Sequence, residues 1–194
     1  MVGGLIAVLE AFRSSVPVAE AAGARIASCL ADGGRVLACG NGGSAADAMH
    51  FCEELTGRYE RPRRALPALC LNADGTALTC IGNDFGFGEV FARQIEAFGA
   101  KGDVLVAFST GGRSPNILRA LEAAGGLGME RILLSGKGGG PAAEIAETAV
   151  IVPSESGARI QEVHALVLHT WIEIIEESLF GLPRGPMAAE EVRS

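Results

Sequence analysis

Aromatic residues are scarce in this 194-residue chain: one Trp, one Tyr and eight Phe, 5% in all. Positive charge is also short. The formal net charge is -7 and the isoelectric point is near 5.0, which argues against general nucleic-acid binding, because that needs a basic face. No run reaches the ~18–20 uninterrupted apolar residues of a membrane span. The N-terminus has no cationic stretch ahead of a long apolar one, so no secretory signal is expected. The five cysteines, Cys29, Cys39, Cys52, Cys70 and Cys80, form no CxxC pair. Most lie in apolar runs, where Cys behaves as a small hydrophobe. An odd number without a signal peptide fits a reduced, cytoplasmic protein. No internal repeat is seen, and a single domain is expected.

What is present is a 48% hydrophobic chain rich in Gly and Ala, long enough for one domain with a proper core. Residues 4–30 read as one long helix ended by Gly33-Gly34. Short, continuous apolar runs then alternate with helical ones. The strand candidates are Val36–Cys39, Ala68–Leu71, Val104–Phe108, Ile132–Leu134 and Ala149–Val152, as expected for strands buried on both faces. Helices are predicted over 44–59, 75–82, 87–98, 114–124, 141–147 and 157–180. The alternation predicts an α/β fold: a doubly wound five-stranded parallel sheet with flanking helices, plus the long N-terminal helix. The domain is expected over 1–182, with 183–194 a frayed tail. An Ala-rich N-terminal helix of this length suits packing against another copy or covering its own domain.

The most informative stretch is 36–54, Val-Leu-Ala-Cys-Gly-Asn-Gly-Gly-Ser-Ala-Ala-Asp-Ala-Met-His-Phe-Cys-Glu-Glu. An apolar strand runs into Asn41-Gly42-Gly43, whose backbone can approach a ligand closely. Ser44 sits where a helix N-cap would, with Asp47 three residues on in a loose capping-box pattern. A helix start presents free N–H groups and partial positive charge, which suits phosphate; a tight turn with no ligand is the alternative. The turn is neither GxGxxG nor GxxxxGK[ST], so a nucleotide is not implied. On the helix that follows, His50 and Glu54 lie about 40° apart on one face. That spacing suits two ligands of one metal ion, a paired acid and base, or a plain surface pair. Arg58, Arg61, Arg63 and Arg64 form the one basic cluster, and most of the four read as a solvated helix end.

A second strand–turn–helix junction, Phe108-Ser109-Thr110-Gly111-Gly112-Arg113-Ser114-Pro115, supplies three hydroxyls and a helix start at Ser114 with Pro115 behind it. Two such turns after parallel strands open at the carboxyl edge of a sheet, where ligands bind in these folds. Ser135–Gly140 reads first as a flexible loop and second as a ligand loop. Asn83-Asp84 reads as a turn after a helix. The last helix carries Gln161, His164 and His169. Gln161 and His169 are about 80° apart around it and ~12 Å apart along it, so they can meet at one ion only by reaching toward each other. His164 points elsewhere, toward a structural hydrogen bond.

Taken together, Cys39-Gly-Asn-Gly-Gly-Ser-Ala-Ala-Asp-Ala-Met-His-Phe…Glu54-Leu-Thr-Gly-Arg58-Tyr, Asn83-Asp84-Phe-Gly, Ser109-Thr…Ser114 and Arg159-Ile-Gln-Glu-Val-His…His169 resemble the sedoheptulose 7-phosphate isomerases (phosphoheptose isomerases) of the sugar-isomerase (SIS) fold. The match runs along almost the whole chain in order. The resemblance implies a homotetramer with one Zn2+ per subunit, and conversion of sedoheptulose 7-phosphate to D-glycero-D-manno-heptose 7-phosphate in bacterial heptose biosynthesis. By the same resemblance His50, Glu54, Gln161 and His169 match zinc ligands, with Glu54 and His169 the acid–base pair. Asn41, Gly42, Gly43 and Ser44, then Arg58, Asn83 and Asp84, and Ser109, Thr110, Gly111, Ser114 and Gln161 match the substrate side, which Glu54 also faces.

Two departures stand out. The family commonly reads Ser-Thr-Ser-Gly-Asn-Ser where this chain has Gly111 and Arg113, and it often carries Asp where this chain has Ala158. They keep open an isomerase of a different sugar phosphate. A sister group of the same fold is a non-catalytic adaptor for the bacterial replication initiator and shares a segment like Ala158-Arg159-Ile160-Gln161-Glu162. That group tends to lack the glutamate and second histidine that stand here as Glu54 and His169.

Overall fold

The computed structural model describes residues 2–183; all but one residue of the expected C-terminal tail lies outside them. Five parallel strands form one sheet in the order β2-β1-β3-β4-β5. They are β1 (Val36–Gly40), β2 (Ala68–Cys70), β3 (Val104–Phe108), β4 (Glu130–Gly136) and β5 (Thr148–Val152). β1 and β3 are buried along their whole length. The side chains alternate between two cores, as the two-residue period of a strand requires. Val36 and Ala38 join Phe51, Leu55, Phe108 and Trp171 on one face. Leu37 and Cys39 join Phe91, Ile95, Leu121 and Leu133 on the other.

The helices are α1 (Val2–Phe12), α2 (Val16–Ala31), α3 (Gly43–Thr56), α4 (Gly75–Phe85), α5 (Ala92–Phe98), α6 (Pro115–Gly126), α7 (Gly140–Ile145) and α8 (Gly157–Phe180). The expected single helix over 4–30 is two, joined by a 3-10 turn at Arg13–Ser15. Pro17 is the cause: its ring cannot accept a continuing helix behind it, and it falls in the first turn of α2, where a missing N–H costs nothing. By length and composition alone Val2–Ala31 is apolar enough to cross a membrane, and little of it is buried. Its α2 part nevertheless docks on α8, where Gly23 leaves 2.9 Å between an added Cβ and both Trp171 and Ile174. The Trp171 indole N–H donates to the Ala19 carbonyl at 2.8 Å.

Other boundaries also move. α3 stops at Thr56 rather than residue 59. α4 runs on to Phe85, so Asn83 and Asp84 are helical and not in a turn. The expected helix 87–98 is a 3-10 turn at Phe87–Glu89 followed by α5. All five cysteines are free, four of them buried.

Candidate active site

The strand order reverses direction between β1 and β3, and such a switch point opens a crevice at the carboxyl edge of the sheet. Both walls of the crevice are Gly-containing turns. The first helical residue of α3 is Gly43, with Gly42 (φ 57°) as its N-cap and no side chain bonded there. Ser44 is therefore not the cap expected from its sequence position; it is the second helical residue, and buried. It is pulled in because β1 and α3 touch: a Cβ on Gly40 would stand 2.3 Å from the Ser44 carbonyl oxygen. Asn72 fastens this junction, its amide donating to the Gly40 carbonyl (2.9 Å) and accepting from the Gly40 N–H (3.1 Å).

α6 starts after Ser114, and α8 after Ser156, again with no side-chain cap. α4, by contrast, is closed by Asp74, which accepts from the Thr76 and Ala77 N–H groups. Among the described residues the N–H groups of Gly42, Gly43 and Asn116 have no acceptor. They leave the electropositive ends of α3 and α6 open to an anion.

The turns are locked together. Asn41 and Asn116 exchange amide hydrogen bonds in both directions at 2.8 Å. Ser109, largely buried, uses its hydroxyl to accept from the Gly112 N–H (2.9 Å), so it closes its own turn. Thr110 faces the start of α8, its Cγ2 4.0 Å from where a Cβ on Gly157 would stand. The 135–140 segment is no flexible loop. A Cβ on Gly112 (φ +59°) would fall 1.7 Å from the Gly139 carbonyl oxygen, and one on Gly140 would fall 2.5 Å from that of Gly111. Ala142 N–H also donates to the Gly112 carbonyl at 3.1 Å. Gly112→Ala is expected to lower unfolding free energy by at least ~2 kcal/mol in urea titration, combining a left-handed backbone with a backbone clash.

Further along α3, three side chains from two helices meet. The His50 Nε2 lies 3.3 Å from Glu54 Oε1 and 3.4 Å from His169 Nε2. One donor atom from each of the three lies within 4.8 Å of the others. The two rings meet edge to face, and Tyr59 stacks on His169 with centroids 5.6 Å apart. Burial, then the neighbouring Glu53, pushes the Glu54 carboxyl up, while His50 opposes that rise. Burial, then the nearby His50 charge, pushes His169 down. The acid is thus made weaker, and the cationic form of the His169 imidazole is disfavoured. Two imidazoles and a carboxylate are zinc-type donors, and four ligands at about 2.0–2.1 Å on a tetrahedron stand about 3.3–3.4 Å apart. The two spacings from His50, 3.3 and 3.4 Å, match that edge, and the three donors lie within 4.8 Å of one another, so the residues could hold a metal ion.

Gln161 is the fifth residue of α8, so the two-turn separation from His169 stands. Its amide packs over Gly43, where an added Cβ would lie 2.3 Å from Nε2. Arg58 donates to the Glu60 carbonyl and is exposed. Asn83 and Asp84 bond to each other at 2.7 Å on α4, a helix with no buried residue, and no described contact joins them to the triad.

One arginine of the basic cluster is not a solvated helix end. Arg63 is buried against Glu176, Nε to Oε1 2.8 Å, with side-chain exposures of 1% and 5%. It donates to the carbonyls of Glu54, Leu55, Gly57 and Arg64, closing the C-terminal end of α3. Position alone gave no signal for this, because its three arginine neighbours share the same charge and spacing. His164 is fully buried with Asp47 Oδ2 3.5 Å away, and neither of its nitrogens has a hydrogen-bond partner, so the structural hydrogen bond expected for it is not made.

The chain matches the SIS domain family over residues 5–136. It is 52% identical over 156 residues to phosphoheptose isomerase 1 of Campylobacter jejuni, covering 80% of this chain and 84% of that one. It is 52% identical over 147 residues to phosphoheptose isomerase of Helicobacter pylori, covering 76% and 77%. The solved structure of phosphoheptose isomerase from Neisseria gonorrhoeae superposes with a TM-score of 0.85 at 40% identity, covering 90% of this chain and 94% of that one. With its five-stranded parallel sheet and its match along most of each relative, the chain belongs to the phosphoheptose isomerase family of SIS-domain proteins.

Proposed function

We propose that this protein is a cytoplasmic aldose–ketose isomerase converting sedoheptulose 7-phosphate to D-glycero-D-manno-heptose 7-phosphate, at the entry to bacterial heptose biosynthesis. The observation that carries the reading is the presence, in one domain, of two uncapped helix starts on α3 and α6 and of the His50–Glu54–His169 cluster on α3 and α8. The phosphate docks at Gly42, Gly43, Ser114 and the Asn116 N–H, and the sugar chain runs toward α8. Asn41, Thr110, Gly111 and Gln161 line the path between, with Ser109 holding the turn in shape and buried Ser44 packing behind it.

Isomerisation moves one proton between adjacent carbons and one between their oxygens through an enediol. The Glu54 carboxylate takes the proton from C1 and returns it to C2; a carboxyl pushed up by burial is a better base than an ordinary one. His169, whose cationic form is disfavoured by burial and by His50, passes the proton between O1 and O2. His50, Glu54, Gln161 and His169 would hold Zn2+, which when bound polarises the carbonyl and stabilises enediolate charge. Arg58, Asn83 and Asp84 lie on exposed segments and reach the substrate from the rim. Fixing the phosphate end orients the reacting carbons.

A homotetramer suits the apolar groove of about 310 Å3 between α1, α2 and α8, lined by Leu9, Phe12, Val16, Ala19, Leu166 and Val167. Val2, Ile6 and Val16 are exposed along the same helices.

The test is turnover of a panel of ketose phosphates by zinc-loaded protein. Sedoheptulose 7-phosphate is expected to be the best substrate, and chelation is expected to abolish turnover until zinc is returned. Preference for another ketose phosphate would support the alternative that Gly111 and Ala158 suggest. No turnover of any would overturn the enzyme reading in favour of an adaptor.

A further inference from the structure

We propose that Lys137 is a phosphate-binding residue of this crevice, supplying the fixed positive charge that its hydroxyls and N–H groups lack; this rests on the sugar-phosphate reading above. The crevice is poor in cations. Ser109 is occupied by its own turn, the chain is net negative, and Arg63 is buried against Glu176. The cations carried by the interlocked turns are Arg113 and Lys137.

Lys137 stands out by its backbone. It is the one non-glycine among the described residues with positive φ, at 50°. Glycines surround it at 136, 138, 139 and 140, and a fifth glycine would fit with less strain. Strained backbone of this kind gathers at binding sites, and it persists when neighbouring contacts over-determine it. Those contacts are present: the Lys137 N–H donates to the Ser154 carbonyl at 3.1 Å, and the following glycines interlock with Gly111 and Gly112. The side chain then passes over the anion turn. Its Cδ lies 3.6 Å from where a Cβ on Gly111 would stand, and nothing else lies within 4 Å of that point. Gly111 thus leaves a gap that the lysine stem crosses. Among the described residues the ammonium has no carboxylate partner. A flexible stem with a compact charge is well matched to phosphate.

The experiment measures inorganic phosphate binding to the zinc-loaded protein by calorimetry, together with KM and kcat for sedoheptulose 7-phosphate. Lys137→Gln is expected to weaken phosphate binding about 10- to 100-fold, the loss of one charge-assisted hydrogen bond, and to raise KM by a similar factor with kcat changed far less. Lys137→Arg is expected to restore most of the affinity. Lys137→Gly is expected to bind phosphate as weakly as Lys137→Gln while unfolding at or above the wild-type temperature, which separates lost charge from misfolding. Phosphate affinity in Lys137→Gln within twofold of wild type would overturn the proposal, as would a loss seen in Arg113→Gln alone. A wild-type protein that binds no phosphate would overturn the anion site itself and this assignment with it; one that binds phosphate through Lys137 but turns over no ketose phosphate would overturn only the isomerase reading.

Discussion

Glu54→Gln is expected to reduce kcat for sedoheptulose 7-phosphate by three orders of magnitude or more, with the unfolding midpoint within a few degrees of wild type. Acid–base catalysis alone is worth about 10²–10⁴-fold, and the same side chain belongs to the donor cluster, so both contributions fall together. The fold tolerates the change because the amide fills the same volume and burial already disfavours the charged carboxylate. His169→Asn is expected to behave the same way. The checks are steady-state kinetics with circular-dichroism melting, and zinc content of each purified variant. Full activity in either one would remove the mechanism.

Arg63→Ala carries the largest expected cost in stability. Removing one partner of a buried pair leaves Glu176 charged and uncompensated, about 3–5 kcal/mol. That is a large share of the ~5–15 kcal/mol by which a domain is stable. Three carbonyls at the end of α3, those of Glu54, Leu55 and Gly57, also lose their donor. Urea titration is expected to show a much lower midpoint, with activity falling in the fraction that remains folded. The double change Arg63→Met with Glu176→Leu is expected to recover most of the stability, since a packed apolar pair replaces the buried ions. Activity is not expected to return with it, because the carbonyl of the catalytic residue stays unheld. Recovery of both together would mean that Arg63 matters only as half of an ion pair.

The strands were legible because parallel strands covered on both faces must be apolar at nearly every position, and Val104–Phe108 shows that in five consecutive residues. His50 and Glu54 were legible as a local pair, since four residues on a helix bring two side chains together. His169 was placed beside them only by resemblance to a family, because 115 residues of chain separate it from Glu54 and no local period links two helices. The break at Pro17 was hidden by an alanine-rich apolar pattern that continues through it. Ser44 misled because a serine before a helical run usually caps it, whereas here the close approach of Gly40 moves the helix start back to Gly43. Gly138–Gly140 read as freedom, but glycine also permits backbone-to-backbone contact, and that use prevails here. Arg63 was hidden because burial of a charge is decided by a partner, Glu176, 113 residues away.

α8 is a single unbroken 24-residue helix, and it faces two ways. Leu166 and Thr170 lie in the apolar groove with α1 and α2, while His169 points into the triad. A rod cannot shift on one side only. The groove and the donor cluster therefore share one rigid element, and the position of His169 beside His50 is fixed by the same helix that forms the groove wall.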